Sequence, residues 1–509
     1  MAPRDGVTVE GGASTSPRVT RMDFSASSSA PVARLTLTTE FALGASRAPA
    51  RNAPHENFPT EARWSPDGVC LLTSGAEDCV FRVYDVPARV PAPHETRSSQ
   101  EGNEAASRRS SSWSSSDDVE RSDDDDDARP PPDALWPALR VRAGESARDV
   151  AWLPTMCAHD TSTCLFASAC KSQPVHLWSA VDGTVAASYG AKNHLDEPID
   201  FTSLCFSRDG SRVFAGAVSG AIRTWDLTRP GYHDVRTFWT GVFKKGGSKR
   251  SAARRDGMNE YALDDAAAGA ASSSSFRGAV STMACAPESG ATARVVAAGA
   301  VGGGVALFHQ DTGEMLMLFS DTEDARETQN AVTRVRWSPC GSYLYAARRR
   351  DAAVTCWDAR MHSTGMFHNG CVYSMRRVSG STNQKIGFDV EPCGRHLVSG
   401  GTDGVLRAYD LRDGAEIAAW RASDATEAVS DFAFHPHASW GEPGDEATPF
   451  AAVGASVSGH RRFKCQLVEE EENNAAPDAA RAGTAGPTCA LRVWRYAARA
   501  LEQEEEVAA

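Results

Sequence analysis

The 509-residue sequence predicts an all-β fold, a seven-bladed β-propeller, on three observations: a two-part phrase recurs seven times, its last copy stops one strand short, and an alternating segment ahead of the first copy has no other partner. Each phrase begins with an apolar run ending in a Pro/Gly turn. About 19 to 26 residues later a β-branched run ends in an aromatic residue, usually followed by Asp.

The copies run from Trp64 (WSPDG) to Tyr84 (VYD), Trp152 (WLP) to Trp178 (LWSAVDG), Phe206 (FSRDG) to Trp225 (TWD), and Cys285 (CAPESG) to Phe308 (LFHQDTG). They continue from Trp337 (WSPCG) to Trp357 (CWD), Val390 (VEPCG) to Tyr409 (AYDLRDG), and Phe434 (FHP) to Trp494 (VWRY), the last stretched by an insertion. Short alternating runs between Pro/Gly turns make each copy a small antiparallel sheet. One such sheet cannot bury both faces, whereas seven arranged radially bury each against the next. The aromatic–Asp ending resembles the signature of a WD-repeat blade.

Closure follows from the two ends. The seventh copy finishes at its third strand (LRVWRY), and the ARALEQEEEVAA behind it does not read as a strand. Ala33–Leu43 (ARLTLTTEFAL) alternates with a period of two, so it is expected to supply the missing fourth strand and lock the ring. Removing the tails and the low-complexity stretches 88–139, 240–275, 438–448 and 466–487 leaves 343 residues, or 49 per blade. The usual repeat is ~40–45 residues, so no second domain is required. The expected organisation is a disordered tail over 1–32, a propeller over 33–496 with inserts at about 88–139, 240–275 and 466–487, and an acidic tail over 497–509.

The net charge of −13 is unevenly placed: segments 98–129, 466–480 and 498–509 together carry −14, leaving the remainder at +1. Such acidic low-complexity segments cannot pack a core. An acidic total therefore does not exclude an RNA partner for the folded part. No apolar run reaches the ~18 residues of a membrane-spanning helix, and MAPRDGVTVEGG lacks the apolar centre of a secretory signal. The expectation is a soluble protein of a reducing compartment, without membrane association.

Thirteen cysteines show no C-x-x-C and no Cys/His spacing suited to zinc or to a disulfide framework. Cys70, Cys205, Cys285 and Cys356 stand in apolar strand-like runs and read as small buried hydrophobes. Phosphate-cradling glycine loops and nucleophile elbows are missing, and Gly302–Gly304 reads as a tight turn. His176, His309 and His435 have no carboxylate at triad or metal spacing and read as structural. No catalytic residue, metal or cofactor is expected, and the chain does not read as an enzyme. Asp78, Asp351 and Asp403 each precede their blade's closing aromatic by six residues, where WD repeats use an Asp to tie strands together; all three are read as structural. Arg82, Arg223 and Arg407, in third strands, read as surface decoration.

Four stretches go beyond the generic repeat: KNHLDE (Lys192–Glu197) leading into LCFSRDG, TRPG (Thr228–Gly231), TFWTGVFKK (Thr237–Lys245) and STNQKIGFDVEPCGRHLVSG (Ser381–Gly400). Together these resemble the telomerase Cajal body protein family, WD-repeat proteins that bind small Cajal-body RNAs. The resemblance runs from about Asn57 to Trp494 outside the inserts. It implies recognition of a short box in the terminal loop of H/ACA-type guide RNAs, telomerase RNA among them, and delivery of those particles to Cajal bodies in the nucleus. H/ACA ribonucleoprotein proteins are the implied protein partners. A chaperonin is a further expected partner, because a monomeric propeller with non-local closure folds slowly.

Topology and charge nominate the residues that would touch RNA. In a four-stranded blade, the loop leading into the first strand and the turn between the second and third share one face. That face gathers Lys171, Lys192, His194, Lys244, Lys245, Arg348, Arg349, Arg350, Arg376, Arg377, Arg461 and Arg462. These are expected to meet phosphates, with Asn383 and Gln384 reading bases. Glu469–Glu472 fall on the same face against this pattern, and the acidic insert 98–129 is expected on the other. A second reading starts from WDAR, with Trp357, Asp358 and Arg360, and from YDLR at Tyr409–Arg412. Both resemble the W-D-x-R box of substrate receptors for cullin-type ubiquitin ligases.

Overall fold

The computed structural model describes residues 32–37, 58–86, 137–232, 236–239, 276–319, 330–360, 367–368, 371–422, 428–437, 452–459 and 490–495, apart from positions 77, 194, 277, 289–291 and 381. These residues form seven sheets in a ring, a seven-bladed β-propeller, antiparallel except where Phe367–His368 adds parallel to the outer strand of the fourth sheet. Blade 1 is built from Pro59–Trp64, Cys70–Gly75, Val80–Asp85 and Leu139–Arg142; blade 2 from Ala147–Trp152, Leu165–Cys170, Val175–Ser179 and Val185–Tyr189. Phe201–Phe206, Arg212–Ala217, Ala221–Asp226 and Arg236–Trp239 make blade 3; Val280–Cys285, Val295–Ala300, Val305–His309 and Met315–Phe319 make blade 4. Blade 5 holds Val332–Trp337, Tyr343–Arg348, Ala353–Asp358 and Tyr373–Arg376; blade 6 holds Phe388–Val390, His396–Ser399, Val405–Asp410 and Glu416–Arg421.

Blade 7 takes Val429–Phe434, Ala452–Ser458 and Ala490–Arg495 from one end of the chain and Val32–Leu37 from the other. The last pairs antiparallel with Ala490–Arg495, from Val32 opposite Arg495 to Leu37 opposite Leu491. The ring is thus closed by an N-terminal strand, one residue earlier in its start than Ala33, while residues 38–43 lie outside the described residues. The closure joins residues more than 450 apart, so its entropy cost falls late in folding.

Apolar packing sits between blades, as the two-faced burial of each sheet requires. Leu71, Tyr84, Val457 and Val493 fill the seam between blades 1 and 7; Phe434, Trp494, Leu406 and Trp420 fill the next one round. Ala297, Phe319, Val332 and Trp357 do the same between blades 4 and 5. The seam is tight there: a Cβ on Gly299 would come within 2.6 Å of Val332.

The inner strands share a device. In six blades the register shifts after the strand's first residue, leaving Thr60, Arg148, Thr202, Ser281, Thr333 and Ser430 as extra residues of a bulge. A bulge re-aims the side chain that follows it. Hydroxyls at five of these positions hold it in place, with Arg148 donating its guanidinium to the Phe201 carbonyl at the sixth: Thr202 Oγ1 lies 3.1 Å from the Gly216 carbonyl and 2.6 Å from that of Val280 in the next blade. Ser281 repeats the arrangement with Gly299 and Val332, and Ser430 with Val457 and Pro59. Inner-strand tryptophans add to the ring, Trp64, Trp152 and Trp337 each donating an indole N–H to a carbonyl of the preceding blade.

Third-strand arginines are a correction to the sequence reading. Arg82 and Arg223 are buried and Arg407 is half-buried. Arg82 and Arg407 fold back to the carboxylates of Asp78 and Asp403 four residues earlier, at 2.5 and 2.6 Å, because the side chain is long enough to cap its own turn. The same two Asp residues accept the amides of Val80 and Val405. Asp351 accepts the Ala353 amide and lies 4.0 Å from Arg348. The three histidines make structural bonds: His176 with Ser188, His309 with the amides of Asp311 and Thr312, and His435 with the Gly68 carbonyl across the closing seam.

Candidate nucleic-acid interface

One backbone bond repeats in every blade and defines the face. The turn between the second and third strands donates an amide to the segment leading into a first strand: Ala76 to Phe58, Lys171 to Ser146, Val218 to Asp200, Val301 to Ala279, Arg349 to Ala331, Thr402 to Val378 and Gly459 to Ala428. Lead-in loops and second turns are therefore stitched into one continuous surface. Strand ends carrying Trp357 to Arg360 belong to the opposite face.

Lys171, Lys192, Arg350, Arg376 and Asn383 are exposed on the stitched face, with Arg349 and Gln384 half-buried beside them. Lys192 pairs with Asp196 at 3.0 Å and holds its ammonium 5.8 Å from the Tyr232 ring centre. Gln384 donates to the Gly459 carbonyl, joining blades 6 and 7. Burial, with Arg350 adjacent, lowers the Arg349 guanidinium from its ordinary value. His194, Lys244, Lys245, Arg461, Arg462 and the acidic segments 98–129 and 469–472 lie outside the described residues.

Arg348 and Arg377 are withdrawn from the expected phosphate patch. Arg348 is 3 % exposed, and its guanidinium donates to the Gly303 carbonyl at 3.0 Å while lying 5.4 Å from the Trp357 ring. Arg377 is 4 % exposed and donates to the carbonyls of Ile386 and Arg348 at 2.8 and 2.6 Å. Burial pushes the Arg377 guanidinium down to about 10. Both guanidiniums are turned inward onto backbone carbonyls at blade junctions. What remains is a rim of separate exposed cations.

Two residues that the sequence reading passed over stand on or under this face. Tyr232 is 51 % exposed, and a Cβ at Gly190 would lie 2.4 Å from its ring. The loop after the third strand of blade 3 reaches it by running along blade 2, with Gly231 bridged to Tyr189. An exposed ring beside an ammonium is the surface on which an unpaired base stacks. The sequence signal was an aromatic directly after a Pro/Gly turn, GYH. Lys385 leaves blade 6 and donates to the Arg148 carbonyl of blade 2, spanning the mouth of the central channel.

That channel, of about 860 Å³, is lined from all seven blades. The bulges set Glu61, Asp149 and Arg334 facing it, joined by Arg63, Arg336, Asp389 and Lys385. Arg63 bonds Glu61 at 2.7 Å and Asp431 at 3.1 Å; Arg334 bonds Asp431 at 2.8 Å and Arg336 bonds Asp389 at 3.0 Å. Burial raises the Glu61 carboxyl despite Arg63, and lowers Arg334 to about 10. Asp149, Asp389 and Asp431 also accept amides of the following blade. The channel ions pair with one another and serve as ring ties, although one guanidinium nitrogen of Arg334 is left without a hydrogen-bond partner.

On the opposite face, Trp357 is fully buried and stacked on Phe319, while Asp358 and Arg360 pair at 2.6 Å. Arg360 also lies over the Tyr343 ring. Among the described residues no group of three or more His, Cys, Asp or Glu side chains is placed to hold a metal ion, and no helix is long and apolar enough to cross a membrane.

Comparison with known proteins agrees with the repeat and the resemblance. The family "WD domain, G-beta repeat" matches residues 191–226 and 324–358. The chain is 29 % identical over 356 residues to Telomerase Cajal body protein 1 of Mus musculus, covering 70 % of this chain and 52 % of the relative. Against the protein of that name in Homo sapiens it is 28 % identical over 355 residues, covering 70 % and 50 %. The Telomerase Cajal body protein 1 homolog of Drosophila melanogaster is 23 % identical over 364 residues, at 70 % and 51 % coverage. The chain spans about half the length of the curated relatives it matches.

Proposed function

We propose that this WD-repeat propeller is a non-enzymatic RNA-binding scaffold. It takes the loop box of H/ACA-type small Cajal-body RNAs, telomerase RNA included, and directs those particles to Cajal bodies in the nucleus. The observation that carries the reading is the stitched face, where Lys171, Lys192, Arg350 and Arg376 stand exposed on a propeller similar to Telomerase Cajal body protein 1. Separate cations on a rim suit the phosphates of a single strand. Tyr232 and Asn383 supply stacking and base-edge contacts, which specify where phosphate contacts only position. H/ACA proteins are the partners this reading brings, with a chaperonin during folding.

Cross-linking the full chain to RNA in cells and sequencing what is bound tests the reading. H/ACA-type guide RNAs should be enriched, with cross-links in their terminal loops. Uniform background RNA would overturn it, as would a ligase adaptor that co-purifies in place of RNA and is lost on Arg360→Ala.

A further inference from the structure

Cys205 closes the inner strand of blade 3 one residue before its end, and Cys285 ends that of blade 4. Their sulfurs lie 3.5 Å apart across the blade junction, and both residues line the central channel. We propose that these two thiols are an oxidation site: a hydroperoxide entering the channel joins them as a reversible disulfide between blades 3 and 4. A disulfide has its sulfurs ~2.05 Å apart, so closure needs a movement of about 1.5 Å, within the reach of side-chain rotation on strands that already touch.

The chemistry balances with the peroxide as the named oxidant. One thiolate attacks a peroxide oxygen, the O–O bond breaks, and a sulfenic acid forms while water or an alcohol leaves. The neighbouring thiol then attacks the sulfenic sulfur and expels hydroxide, which leaves as water. Two thiols have lost two hydrogens and the peroxide is reduced. Two equivalents of a small thiol, or one dithiol, return the pair to its starting state through a mixed disulfide and are themselves oxidised to a disulfide.

Geometry favours this pair over further oxidation, because the resolving sulfur is already in contact. The Cys285 thiol beside it, together with burial, pushes Cys205 well up from its ordinary value. Attack needs the thiolate, so the pair stays reduced under ordinary conditions and reacts faster as pH rises. Joined, the two strands enclose a loop of 80 residues that includes 240–275, which constrains the unfolded chain.

The test uses the full chain with its exposed thiols, Cys340, Cys371 and Cys393 among them, first blocked by alkylation in the folded state. Hydrogen peroxide is then added and peptides are mapped without reduction. The expected result is loss of the free Cys205 and Cys285 peptides and appearance of one joined peptide two hydrogens lighter. A melting temperature raised by several degrees and restored by dithiothreitol should accompany it. Cys205→Ala should abolish both effects while melting cooperatively, since Ala151, Ala284 and Ala433 occupy the same strand position in other blades. Sulfinic acid at either residue without joining would overturn the proposal. So would a pair that stays reduced in folded protein, or a joined peptide seen only after denaturation.

Discussion

Asp403 shows how one carboxylate fixes a turn. Burial opposes its ionisation, but the Arg407 guanidinium and the Val405 amide outweigh that and hold the carboxyl below its usual range. A carboxyl lowered in the folded state contributes stability that is complete above the unfolded value near pH 4 and is lost as pH falls through the folded value. Asp403→Asn should therefore cost about 1 kcal/mol at pH 7, a cost that shrinks as pH falls below about 4 toward the carboxyl's folded value, read from urea unfolding across that range. The arginines separate by what their donors already bond. Arg348→Gln and Arg377→Gln leave buried carbonyls unpaired and should destabilise by about 1–3 kcal/mol, with the salt dependence of RNA binding unchanged. Arg350→Gln with Arg376→Gln should leave stability within about 0.5 kcal/mol and reduce the salt slope by about 0.7 per lost phosphate contact. Sequence placed all four on one face, and the lead-in loops and turns do lie there; it could not tell a loop cation from one turned inward, because that depends on which blade-junction carbonyls lack partners.

At the scale of elements, the closing strand and the bulged inner strands carry different lessons. Ala33–Leu43 was legible because its period of two had no other partner, and the missing fourth strand gave it a place. Deleting residues 32–37 should expose the edge of Ala490–Arg495 and promote aggregation, while deleting residues 1–31 should leave the melting temperature unchanged; equal melting of both truncations would show another closure. The bulges were not legible, since a Ser or Thr at the second position of a strand looks like any other β residue until its hydroxyl meets two carbonyls. Thr202→Val removes that bridge and should cost about 1 kcal/mol by thermal or urea unfolding. The closing seam also senses acid. His435 lies 4.8 Å from the Trp64 ring and bonds the Gly68 carbonyl, and burial lowers its imidazole. Its contribution is present above the unfolded value near pH 6.5 and is lost as pH falls; His435→Ala should remove this acid-side loss from the melting curve.

For the molecule as a whole, the seven copies and the short last one implied a ring, and the ring explains why the charged residues divide into two populations. Those on inner strands, Glu61, Arg63, Asp149, Arg334 and Asp431, pair across blades and tie them together. Those on the stitched rim keep their charge toward solvent, beside the ring of Tyr232. Tyr232 escaped the sequence reading because its loop crosses from blade 3 onto blade 2, which spacing along the chain does not reveal; Lys385 shares the lead-in of Asn383 and Gln384, and only its reach to the Arg148 carbonyl was hidden. The account places an RNA loop on that rim, and ultraviolet cross-linking of the full chain to an H/ACA terminal loop, followed by mass spectrometry of the linked peptides, tests this directly. Links should fall on peptides containing Lys171, Lys192, Tyr232, Arg349, Arg350, Arg376 or Asn383, and should weaken when Tyr232 is changed to Ala. Links confined to the opposite face, around Arg360, Arg395 and Arg412, would contradict it.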